Sequence, residues 1–165
     1  MISRAETPSR KPAGTSADAP SYEAFVCRVQ REAGLSTPGE AALAARATLT
    51  TLAERLRLET DEPDVDLLIS GLSFQLPEQL REPLVNAHGG GSRGSTSRRT
   101  TVAPTPVEFC LVEFYRRVSR MTGVEPAEAE TQARAVAVSL DASISGVELD
   151  RIRSRLPDEF EFLFV

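Results

Sequence analysis

Five carboxylates crowd into eight residues of this chain: Glu59, Asp61, Glu62, Asp64 and Asp66. Clustered oxygens are what a hard cation wants, so a calcium loop is the first chemistry to test. The spacing refuses it. Counted from Asp61, the third ligand position falls on Pro63, and no turn glycine follows. Paired carboxylates can also serve hydrolysis, but no second reactive group accompanies these. The reading that remains is a solvated acidic loop whose charge favours the N-terminus of the helix that follows.

Other reactive residue types are scarce or badly placed. His88 is the single histidine and lies in a glycine-rich stretch, so neither a zinc ligand set nor a Ser-His-Asp arrangement can be assembled. The lone Lys11 sits near the N-terminus, away from any apolar pattern that would lower its pKa for Schiff-base work. There is no Walker loop, and Gly89 to Gly91 precede no strand-to-helix pattern that would cradle a phosphate. Cys27 and Cys110 fall within apolar helical patterns and read as small buried hydrophobes in a reducing compartment. Arg93, Arg98 and Arg99 have no interleaved aromatics, which makes them a weak nucleic-acid signal. Arg98-Arg99-Thr100-Thr101 has the look of a basophilic kinase site. Arg46 and Arg134 are expected to form equivalent ion pairs or carboxylate forks that hold the two halves of the molecule together, with anion contacts on an accessible face as the other reading. No residue is assigned a catalytic, cofactor-binding or metal-ligating role, and no cofactor is implied.

Charge sharpens the exclusions. Residues 21–84 carry 6 Arg and 11 acids, residues 107–165 carry 7 Arg and 11 acids, and residues 85–106 hold three Arg and no acid. An acidic body is a poor partner for nucleic acid or for an anionic membrane. No window approaches the roughly 20 apolar residues of a spanning helix, and residues 1–20 have no apolar leader core, so a soluble cytoplasmic protein is expected.

The elements that must position these residues are announced twice. Phe25-x-x-x-Val29 and Gly34-Leu35 return as Phe114-x-x-x-Val118 and Gly123-Val124 at an offset of 89 residues. Pro38-x-Glu40, Arg46-Ala47 and Leu52 return as Pro126-x-Glu128, Arg134-Ala135 and Leu140 at an offset of 88. Ile69, Leu72, Leu76-Pro77, Leu80 and Leu84 return as Leu149, Ile152, Leu156-Pro157, Phe160 and Phe164 at an offset of 80. Echoed positions are mostly apolar, capping or proline, so scaffold rather than chemistry is repeated.

The apolar spacing inside each copy is helical. Tyr22, Phe25, Val26 and Val29, and then Leu111, Phe114, Tyr115 and Val118, follow i, i+3, i+4, i+7. A Thr105-Pro106-Val107-Glu108 capping box predicts that the second of these helices starts there. Thr37-Pro38-Gly39-Glu40 and Glu125-Pro126-Ala127-Glu128 open the next helices, whose alanine stripes call for close axial approach. A Ser145-x-x-Glu148 box opens a third in the second copy, and Leu-Pro breaks lead to a short fourth segment. The terminal Glu159–Val165 stretch alternates like a strand, but its register with the first copy predicts a helix. The expected architecture is all-α: a pseudo-twofold helical bundle of two tandem repeats, three to four helices each. Residues 1–20 read as a disordered tail, 21–84 as the first repeat, 85–106 as a flexible Gly/Ser/Arg linker and 107–165 as the second repeat.

The doubled order Phe-x-x-x-Val, Gly-Leu, Arg-Ala, Leu-Pro-x-x-Leu resembles the bacterial family catalogued as domain of unknown function 2267. The resemblance covers residues 21–165. It implies an all-helical bundle and supplies no activity, cofactor or site residue to carry over. The function expected is a non-catalytic protein-interaction or regulatory module, contacting a protein partner or a second copy through a helical face or the Leu-Pro corners at Leu80 and Phe160. A small-ligand or lipid-binding bundle is the alternative, followed by nucleic-acid contact through the arginine linker.

Overall fold

The computed structural model describes residues 21–59, 63–86 and 109–165. The N-terminal tail, the middle of the acidic cluster and the linker from residue 87 to 108 lie outside the described residues, as do the Thr105 capping box and the Arg98-Arg99-Thr100-Thr101 site. Seven α-helices follow in order: α1 (Tyr22–Ala33), α2 (Pro38–Glu59), α3 (Pro63–Gln75), α4 (Glu78–Asn86), α5 (Leu111–Thr122), α6 (Pro126–Asp141) and α7 (Gly146–Ser154). A 3-10 helix over Asp158–Leu163 closes the described chain. The described residues contain no strand, so the all-α expectation holds, and the alternating stretch from Glu159 is helical in the tighter 3-10 form as far as Leu163.

Most boundaries follow from local chemistry. Ser21 Oγ accepts a hydrogen bond from the Ala24 amide at 3.2 Å and starts α1. At α2, Thr37 Oγ1 accepts from the Glu40 amide at 3.2 Å while Glu40 Oε2 accepts from the Thr37 amide at 3.0 Å, a reciprocal box that satisfies otherwise orphan donors. Gly34 and Gly123 end α1 and α5 with φ of 64° and 76°, a left-handed turn that a side chain would strain. Glu125 makes no side-chain cap at α6, where Pro126 at the first helical position supplies the start signal.

The start of α5 differs from the sequence reading. The helix begins at Leu111, not at the proline-led box upstream, and its N-cap Cys110 makes no side-chain cap bond. A distant residue substitutes: Glu159 Oε1 accepts from the Leu111 amide at 3.1 Å. At the other edge of the linker, α4 runs on to Asn86.

One contiguous core joins all segments. α1 packs on α2 and α6, α5 packs on α6 and α2, α2 and α6 pack on each other, and α3 packs on α4 and α7. Ala41, Ala44 and Ala45 on α2, and Ala129 and Ala133 on α6, are fully buried, which is the close approach their short side chains permit. The two cysteines are not in this core. Cys27 is exposed and Cys110 only partly buried, and both are free thiols. The buried stripe of α1 is Phe25, Val26 and Val29, and Cys27 lies two residues from both Phe25 and Val29, on the far side of the helix.

Candidate interaction surface

Two regions gather side chains whose chemistry exceeds ordinary packing. The first forms where the C-terminal end of α2 meets residues 109–163. Arg55 is 1% exposed, and its guanidinium carbon lies 5.9 Å from the Phe109 ring centroid and 5.7 Å from that of Phe160. Arg117 on α5 stacks over Phe109 from 4.1 Å. It also donates to Glu54 on α2 at 3.0 Å and to Glu113 at 3.3 Å. Phe160 meets Phe114 edge to face, with centroids 5.5 Å apart. Delocalised guanidinium planes suit aromatic faces, and partial desolvation strengthens the attraction. Two residues beyond, Arg57 Nη2 donates to the Leu84 carbonyl at 3.1 Å at the end of α4. Burial pushes the Arg57 guanidinium below its ordinary value, and the nearby Asp66 and Glu54 carboxylates pull it back up. This region is a buried clamp, with no opening for a ligand at Arg55.

The second region is the face formed by α3 and α7. Gln75 Oε1 accepts from the Ser145 amide at 2.6 Å, so a side chain of α3 caps the start of α7. Further along, the Glu148 carboxylate lies against Gly71, where an added Cβ would stand 3.3 Å from Glu148 Oε2. The two contacts run the helices antiparallel, with the flexible end of Glu148 lying over Gly71. Arg151 Nη1 pairs with Glu148 at 3.1 Å. Past this point the helices part, and an open groove of about 420 Å³ is lined by Val65, Leu67, Leu68, Arg151, Ser154 and Arg155. Leu67 is 70% exposed and Val147, on the other helix, 64%. Leu67 is part of the lining of that groove, whereas Val147 is not.

Sequence-singled residues fall as follows. Of the acidic cluster, Asp66 sits exposed on α3, close enough to Arg57 to act on its charge, while residues 60–62 lie outside the described residues. Arg46 pairs at 3.9 Å with Glu82 on α4, and Arg134 pairs at 3.9 Å with Glu130 and donates at 2.9 Å to the main-chain oxygen of Val165. Each arginine thus ties its helix to the last segment of its own half. Neither crosses between the halves, because both are on the outer faces of α2 and α6 and the shared face is filled by alanine. Leu80 and Phe160 are buried to within 1% and are removed from the contact candidates. A second open groove, about 370 Å³, runs past Glu32, Glu130, Arg134 and Val165 and is more polar. Among the described residues no three His, Cys, Asp or Glu side chains gather as a metal site, and no helix is long and apolar enough to cross a membrane.

Sequence reasoning missed Arg55, which reads as one more surface charge in Arg55-x-Arg57. Its signal was the insertion that changes the offset from 88 to 80, since the added residues lengthen α2. It also passed over Gly89 to Gly94, whose letters spell both G-x-G-x-x-G and G-x-S-x-G. Both motifs require a strand leading into a helix. The run itself lies outside the described residues, and the element before it is helix α4.

Fold and surface together define an all-helical protein whose most ordered polar chemistry is structural. The chain belongs to the family described as "Uncharacterized conserved protein (DUF2267)", whose model matches residues 22–163. Nothing among curated proteins matches it.

Proposed function

We propose that this chain is a cytoplasmic, non-catalytic protein-interaction module built as two tandem repeats about a pseudo-twofold axis, with the α3 and α7 face as its contact surface. The pairing of helices supports the symmetry. Under the offsets found in the sequence, α1 corresponds to α5, α2 to α6 and α3 to α7. The packing of α1 on α6 is then matched by that of α5 on α2, and the α2/α6 and α3/α7 pairs are self-related.

The observation that carries the interaction reading is the exposure of Leu67 and Val147, one on each helix of that pair, at 70% and 64%. They stand at the same 80-residue offset that aligns the buried Ile69 with Leu149. The buried neighbours are explained by the core; the exposed pair is not. The small-ligand alternative draws less support, since the sizeable cavities described above are open grooves rather than enclosed apolar chambers.

Immobilised full-length chain tests the reading. Leu67→Asp should lose the proteins, including copies of itself, that the wild type retains, while Leu43→Asp, at an exposed leucine on α2, should keep them. Equal retention by both variants would remove the α3 and α7 face from the proposal.

A further inference from the structure

The polar contacts between residues 21–86 and 109–165 join unlike side chains. We infer that this joint is a partner-selecting interface: each half takes the other half in preference to a second copy of itself, and holds it without a covalent link. The inference goes beyond the contact face proposed above and takes from that reading only the matching of helices between the halves.

Three such contacts cross the joint. Arg55 on α2, 1% exposed, lies 5.7 Å from the ring centroid of Phe160. Glu54 beside it accepts from Arg117 on α5 at 3.0 Å. Gln75 on α3 accepts from the Ser145 amide at the start of α7 at 2.6 Å. The residues at the matching places are of other types. Under the sequence offsets, Ser143 matches Arg55, Leu80 matches Phe160, Ala142 matches Glu54, Arg155 matches Gln75 and Val65 matches Ser145.

Like-with-like pairing would therefore lose all or part of this set. Two copies of residues 109–165 would set Ser143 against the Phe160 ring and Ala142 against Arg117, and would bring the Ser145 amide to the guanidinium of Arg155, which has no acceptor. Two copies of residues 21–86 would bury Arg55 against Leu80 and face Gln75 with Val65. A guanidinium desolvated without its partner is costly, so the penalty falls on the wrong pairings. The apolar part of the joint makes no such choice. Ala41 and Ala45 on α2 match Ala129 and Ala133 on α6, and all four are fully buried. What the apolar part supplies is affinity, through one contiguous core that spans both halves. Phe109, the first described residue of the second half, is itself fully buried, with the Arg117 guanidinium 4.1 Å from its ring.

Cutting the chain between the halves turns this joint into a measurable association. A protease recognition sequence is inserted between Gly91 and Ser92 of the full chain and cut after folding. Native mass spectrometry at micromolar concentration should find one complex with one copy of each fragment, and circular dichroism should match that of the uncut chain. Arg55→Ser and Gln75→Arg each give one half the residue of the other at the matching place. The dissociation constant of the cut complex should rise at least about tenfold in Arg55→Ser and about fivefold in Gln75→Arg, which loses one helix cap. Leu43→Asp should leave it unchanged. If Arg55→Ser does not fold uncut, Gln75→Arg, at a partly exposed position, carries the test. Fragments that separate overturn the inference, and so does a cut complex that neither variant loosens. Fragments that pair with their own kind would overturn selection while upholding the likeness of the halves.

Discussion

Helix α2 runs 22 residues and α6 runs 16, and the whole difference lies at their C-terminal ends. Where α6 stops at Asp141 and turns through Ala142 toward α7, α2 continues through Glu54, Arg55 and Arg57 to Glu59. Those added turns reach across to the other half. Arg55 enters between Phe109 and Phe160, and Glu54 takes one arm of Arg117. At the end of α6, the hydroxyl of Ser143, at the position matching Arg55, donates to the carbonyl of Ser139 one turn back in its own helix, at 2.6 Å. Two similar halves are thus joined by an asymmetric clamp. The lesson is that an insertion lying outside the matched pattern can carry the joint between matched parts.

Substitutions can break that comparison in graded steps. Phe160→Ala should cost about 4 kcal/mol and its counterpart Leu80→Ala about 3 kcal/mol, since the ring loses an edge-to-face partner and the Arg55 contact besides its burial. Urea unfolding monitored by circular dichroism measures both. Arg55→Ala should cost about 3 kcal/mol against less than about 1 kcal/mol for Ser143→Ala; equal values would dissolve the clamp. Arg55→Lys should recover only part of the loss, because an ammonium cannot lie flat between two rings.

Alkali sharpens the comparison further. Tyr115, at the position matching Val26, has its phenol pushed up to about 12, by burial first and the Glu130 carboxylate second, against the pull of Arg134. A folded value above the unfolded one means that the unfolded chain gives up its proton first. Stability from this group is full below pH 10 and falls as pH rises from there toward 12. Tyr115→Phe should flatten that decline in thermal melts taken across the same window, and Val26→Phe should not.

The smallest effect belongs to Gly71→Ala. A helix-interior alanine gains about 1 kcal/mol over glycine, and the only close neighbour is the far end of the flexible Glu148 side chain, whose surface pair with Arg151 is worth little. A net stabilisation of about 0.5 kcal/mol is expected in the same urea experiment, whereas alanine at the left-handed Gly34 should destabilise.

Legibility in the sequence followed how local each interaction is. The Thr37 box, the Gly34 and Gly123 caps, the alanine stripes and the Leu-Pro breaks act within a few residues, and each was readable. The start of α5 was not, because its amide is satisfied by a carboxylate 48 positions away, while a well-formed capping sequence stands upstream to mislead. Cys27 was misplaced because an apolar helical pattern names a face, not every residue within it. The insertion marked the stretch around Arg55 but not the residue, because a buried guanidinium is identified by its aromatic neighbours, and those come from two other parts of the chain. The α3 and α7 surface was half legible: the offset aligned Leu67 with Val147, but only the fold shows both exposed.

The Glu159 cap on α5 also bears on the order of events during synthesis. Residues 21–86 leave the ribosome with their own caps and breaks in hand and can begin to pack as they emerge. Helix α5 emerges with its first amides still hydrated and receives its stabilising carboxylate only after the chain has lengthened to Glu159. Until then the Leu111 amide in its first turn lacks the carboxylate that satisfies it in the folded chain, and that turn stays prone to fraying.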